Sequence, residues 1–178
     1  MTEASAWLND AEASRAALAR GIKMPSWFFI SIGAAIAAQI ATMAAGVADP
    51  SPWTLTALAA GITVLFAVAG VQLARFRRLN GIWLNGLLSR VVLGTDALAS
   101  TAYGVAAGGA IFAAFYTRWW LVISWAIIGG VAYALSGRRW FRAYRSAPAA
   151  HARGDSLAWL ALVTVAALAA LALLLFNH

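Results

Sequence analysis

Five stretches of this chain, 27–47, 53–74, 97–116, 119–136 and 157–176, contain no Lys, Arg, Asp or Glu, and they are apolar throughout. A run of about 20 such residues crosses a hydrocarbon core of about 30 Å at 1.5 Å per residue, and helix is the form that satisfies its own backbone there. The sequence therefore predicts an all-α integral membrane bundle of five transmembrane helices. Only 11% of the 178 residues are charged, against about a quarter in soluble domains, so the connections cannot support a soluble core of their own. Residues 1–178 are expected to form a single transmembrane domain.

The basic residues predict how that bundle is oriented. Arg15, Arg20 and Lys23 precede the first span; Arg75, Arg77, Arg78 and Arg90 follow the second; Arg138, Arg139, Arg142, Arg145 and Arg153 follow the fourth. These segments alternate with connections in which Arg118 is the sole cation. The positive-inside rule then puts the N-terminus in the cytoplasm and the C-terminus outside. The first span is preceded by 23 or more residues that include three acids, and it exceeds a signal-peptide core in length, which favours retention over cleavage. Alanine-rich composition, with twelve Arg against one Lys, suits a GC-rich bacterial genome and hence a bacterial cytoplasmic (inner) membrane. In that setting the net charge of +7 reflects topology, and nucleic acid is not an expected partner.

Between the spans the pattern predicts interfacial helices on the cytoplasmic side. In residues 2–20, Trp7, Leu8, Ala11 and Leu18 gather on one side; in 75–96, Ile82, Trp83, Leu87 and Val91 recur at helical spacing. Arg138, Arg142 and Arg145 form one stripe and Trp140 with Tyr144 another, so the fourth helix is expected to continue past the bilayer surface. Trp27, Trp53, Trp119, Trp120 and Trp159 stand within three residues of span ends, where an amphipathic ring suits the headgroup level.

Several chemistries lack their residues. The chain has no Cys, which removes disulfides, iron–sulfur clusters and thiol catalysis. Its two histidines, His151 and His178, fall on opposite sides of the predicted bilayer, so a shared metal or paired haem ligation is not expected. No span holds a His or Lys beside a Ser, and the acid nearest a span, Asp96, stands alone. The expectation is a non-enzymatic protein with no cofactor and no metal.

Three groups of residues carry the functional expectations. Asp96 opens the third span beside Thr95; it either favours the positive end of that helix or couples ion or proton movement. Gln39, past the middle of the first span, and Gln72 in the second are amides in apolar surroundings, where a partner on another helix or a ligand must satisfy them. Arg75, Arg77, Arg78, Arg138, Arg142 and Arg145 are placed to contact anionic lipid headgroups at the cytoplasmic face. Gly104 and Gly108 form a Gly-x-x-x-Gly pair and Gly129–Gly130 lies mid-depth, suited either to packing within the chain or to a face between two copies.

The tract Arg20-Gly-Ile-Lys-Met-Pro-Ser-Trp27 before the first span and Asn80-Gly-Ile-Trp-Leu-Asn-Gly86 after the second resemble small uncharacterised integral membrane proteins of actinobacteria. The resemblance covers roughly residues 15–145 and implies four spans followed by a basic tract; the fifth span departs from it. It implies no activity, ligand or site residue. The function expected is an accessory or scaffold subunit, or a binder of a hydrophobic or lipid ligand, with membrane lipids, a second copy or a larger membrane complex as partners. The alternative is a small transporter or channel using Asp96 and Gln39.

Overall fold

A computed structural model describes residues 21–81 and 97–146 throughout, together with Trp7, Asp10, Ala11, Ala13, Ser14, Ala17 and Ala19. The chain forms α1 (Phe28–Ala48), α2 (Pro52–Asn80), α3 (Ala97–Phe115) and α4 (Trp119–Ser146), with no strand among the described residues. Three of these helices, α1, α2 and α4, are long and apolar enough to cross a membrane; α3 contributes a shorter apolar stretch, Ala99–Phe115. The fifth predicted span, the link 82–96 and residues 147–178 lie outside the described residues.

Helix ends follow local chemistry. The carbonyl of Ala45 accepts from the N–H of Asp49, and Ser51 then opens α2 with a capping box: its hydroxyl accepts from the Thr54 N–H while the Thr54 hydroxyl accepts from the Ser51 N–H. Pro52 takes the first helical turn of α2, where a missing N–H costs nothing. Gly81 closes α2 in the left-handed conformation, φ 67°, and donates to the Arg77 carbonyl at 2.8 Å. Between α3 and α4, Thr117 adopts φ 56°, with its N–H on Ala114 and the N–H of Arg118 on Ala113.

Contacts run in opposite directions along neighbouring helices. From α1 and the segment before it to α2 they pair Gly46 with Leu58, Thr42 with Gly61, Ser31 with Gln72, and Lys23 with Asn80. From α1 to α4 they pair Ile40 with Gly129, Gly33 with Gly130, and Phe29 with Gly137 and Phe141. Gly109 of α3 meets Trp125 of α4. The result is an up-down-up-down arrangement in which α1 touches all three other helices, whereas α2 is held chiefly by α1. Only 11% of the apolar window of α2 is buried, against 44% for α1.

The core is built on the α1 stripe Phe28, Ile32, Ile36 and Ile40, recurring every fourth residue. Facing it are Ala106, Ala110 and Ala113 of α3 and Val122, Ala126 and Tyr133 of α4. Lipid tails are as apolar as these side chains, so what holds the helices together is close packing between them. Small residues supply that closeness.

At 29 and 28 residues, α2 and α4 are about 44 and 42 Å long, longer than the hydrocarbon core needs. Both overrun at the same end, the end where α1 begins. The expected continuation of the fourth helix is present, with Trp140 and Tyr144 stacked at 5.5 Å. The second helix does the same: Arg75, Arg77 and Arg78, expected in a connecting link, stand on the helix itself. In the N-terminal segment Trp7 is 74% exposed and Ala11 is exposed, while Ala19 and Ile22 are buried.

Candidate functional site

Polar residues within the bundle gather along α1. Gln39 is buried, and its Oε1 accepts from the Tyr103 hydroxyl of α3 at 2.7 Å while its Nε2 approaches the Met43 sulfur at 3.7 Å. One turn on, the Thr42 hydroxyl returns to the Ala38 and Gln39 carbonyls, and Gly61 of α2 packs directly over it. The Gln39 carbonyl oxygen thus ties α3 to α1, the kind of bond an amide forms between membrane helices.

Gln72 makes the corresponding link from α2. Its Nε2 donates to the Ser31 hydroxyl at 2.7 Å, and that hydroxyl donates to the Phe28 carbonyl at 3.0 Å. Among the described residues two buried side-chain oxygens, Gln72 Oε1 and Ser136 Oγ, have no hydrogen-bond partner. The pairing of Gln72 with Ser31, and of Gln39 with Tyr103, was not legible from the sequence, because each crosses 41 or 64 residues.

The glycines divide differently from the motif. A side-chain carbon on Gly129 would meet Ala106 and Ile40 at 2.6 and 2.8 Å, and one on Gly109 would meet the Trp125 ring at 2.7 Å. On Gly104 or Gly108 it would meet nothing within 4 Å. Within the chain, then, Gly109, Gly129 and Gly130 permit close approach, and the Gly104/Gly108 pair faces outward. Of the two uses the motif allows, packing against α4 is taken by Gly109, Gly129 and Gly130 and not by Gly104 and Gly108.

The basic end assembles Lys23, Arg75, Arg77, Arg78, Arg138, Arg139, Arg142 and Arg145, all exposed. At the opposite end stand Asp49 and Arg118, and from residue 21 onward Asp49 is the only acid among the described residues. On α4, the Arg142 Nε donates to the Arg138 carbonyl at 3.4 Å, and the Arg145 guanidinium lies 6.0 Å over the Phe141 ring. The α2 and α4 arginines share this end but lie on separate helices, each packed on α1. Asn80 fixes the approach to α1: its Oδ1 accepts from the Lys23 N–H at 2.8 Å and its Nδ2 donates to the Lys23 and Phe76 carbonyls, both at 2.9 Å. Asp96, the remaining candidate, lies outside the described residues.

Along α2 below this end runs an open groove of about 610 Å³ lined by Gly70, Leu73, Ala74, Arg77, Arg78 and Gly81. Its deeper part is apolar and its mouth cationic. No group of His, Asp or Glu that could hold a metal occurs among the described residues. No family model, no curated protein and no solved structure matches this chain.

Proposed function

We propose that the protein is a non-enzymatic component of a bacterial cytoplasmic membrane, an accessory or scaffold bundle whose arginine-rich end engages anionic lipid. In this reading it has five transmembrane helices, the N-terminus in the cytoplasm and the C-terminus outside. The observation that carries the reading is the separation of charge among the described residues from 21 onward: eight cations at one end of the bundle, Asp49 and Arg118 at the other. An arginine near an anionic surface contributes about 1 kcal/mol, so such an end both orients the bundle and attracts headgroups. The helix-to-helix bonds of Gln39 and Gln72 support a structural use of the interior polar groups.

Reporter fusions at residues 1 and 178 are expected on opposite sides of the membrane; both in the cytoplasm would remove one span from the assignment. Replacing Arg138, Arg142 and Arg145 together by Gln is expected to lower the overall anionic-to-zwitterionic ratio of co-purifying lipid with topology preserved. An unchanged ratio would remove this cluster from the lipid reading.

A small transporter or channel is the second reading, favoured by the unpartnered Gln72 Oε1 and Ser136 Oγ inside the bundle. It requires flux through proteoliposomes that Asp96→Asn or Gln39→Leu abolishes in folded protein. The accessory reading expects no flux with or without those changes.

A further inference from the structure

The groove on α2 joins an apolar surface to two guanidinium groups. Gly70, Leu73, Ala74, Arg77, Arg78 and Gly81 recur at spacings of three and four, so one helix face carries apolar residues below and two guanidinium groups above. Gly70 and Gly81 border open space, since a side-chain carbon at either would meet no atom within 4 Å. Leu73 packs on the core and fixes the groove floor. From Arg77 to Gly70 the helix descends about 10 Å, which lies within the roughly 15 Å hydrocarbon depth of one leaflet.

Resting on the lipid reading above, we infer that this groove seats a single anionic glycerophospholipid. Its phosphate lies at Arg77 and Arg78 and one acyl chain fills the notch over Gly70, Leu73 and Ala74. Charge complementarity selects the headgroup, because guanidinium presents a planar fork of donors to phosphate oxygens. The absent side chain at Gly70 selects the chain position. An ordinary lipid-facing helix gains nothing from a glycine there, since glycine lowers helix stability relative to larger residues.

The test uses the full-length protein in nanodiscs of phosphatidylglycerol and phosphatidylcholine, followed by native mass spectrometry after partial delipidation. The wild type is expected to keep one phosphatidylglycerol per chain. Gly70→Leu leaves every charge in place and improves helix propensity, yet it is expected to reduce that retention on the order of tenfold, as is the pair Arg77→Gln, Arg78→Gln. Ala74→Leu fills the same notch and serves if Gly70→Leu does not fold. The triple change of Arg138, Arg142 and Arg145 to Gln is expected to keep the tightly held lipid while lowering bulk headgroup preference.

Loss of retention with the arginine pair but not with the notch variants would overturn the groove and leave the basic-end reading standing. Equal retention of phosphatidylcholine would overturn the headgroup assignment. Retention unaffected by the notch variants and by the arginine pair would overturn the groove, and an unchanged bulk headgroup ratio in the triple variant as well would overturn both readings.

Discussion

Gly33 of α1 and Gly130 of α4 meet backbone to backbone: a side-chain carbon built on Gly33 would lie 2.7 Å from the Gly130 carbonyl oxygen. Neither residue can grow without parting the helices. This crossing sets α1 at the centre of the bundle, and the layers above and below it, Ile40 against Gly129 and Phe29 against Gly137, follow from its register.

The crossing makes the glycines unequal. Gly33→Leu or Gly130→Leu is expected to destabilise the bundle by about 1–3 kcal/mol through overpacking. Gly104→Leu, facing open space, is expected to be neutral or to gain up to about 1 kcal/mol of helix propensity. Unfolding in mixed micelles of increasing SDS fraction compares them; equal losses at Gly33 and Gly104 would contradict the packing described.

Tyr103→Phe leaves Gln39 Oε1 without its partner in a buried site. Hydrogen bonds between membrane helices average about 0.6 kcal/mol and reach about 1.7, so a loss near 1 kcal/mol is expected. Gln39→Leu in the Tyr103→Phe background removes the orphaned amide and is expected to restore part of it. A double-mutant cycle with no coupling would show that the two side chains do not bond in the membrane.

Thr117 carries a β-branched side chain in the left-handed region, at φ 56°. For an L-residue that conformation costs roughly 1–2 kcal/mol, and glycine avoids the cost. Thr117→Gly is expected to raise the thermal midpoint in detergent, whereas Thr117→Val, which retains the branch, leaves the strain in place. A fall in midpoint for the glycine variant would contradict this turn geometry.

Asn80 ties the segment before α1 to the end of α2 through both Lys23 backbone groups. Asn80→Ala is expected to speed hydrogen exchange at the Lys23 amide by about an order of magnitude, since an exposed bond of this kind contributes about 1 kcal/mol. Exchange around Gln39 is expected to stay unchanged. Equal protection at Lys23 in both proteins would show that Asn80 does not hold it.

The existence of the four described helices was legible in the sequence, because uninterrupted apolar runs in a membrane admit one backbone solution, but the run of α2 on to Asn80 was not. The run of α4 beyond Ser136 was also legible, as a local matter of ring stacking and charge. What the sequence could not supply was which residues face one another. Gly104 and Gly108 present a more recognisable motif than Gly33 and Gly130, yet it is the latter pair that touches, because contact depends on the rotation of two helices about their own axes. The same holds for Gln39: its need for a partner was readable from its burial in apolar sequence, but Tyr103 became that partner only when α1 and α3 aligned. Composition and period thus determined that helices form and at which end the cations gather. Helical spacing likewise put Gly70, Arg77 and Arg78 on one face of α2. Tertiary packing alone decided that α1 is central and that this face of α2 is left open.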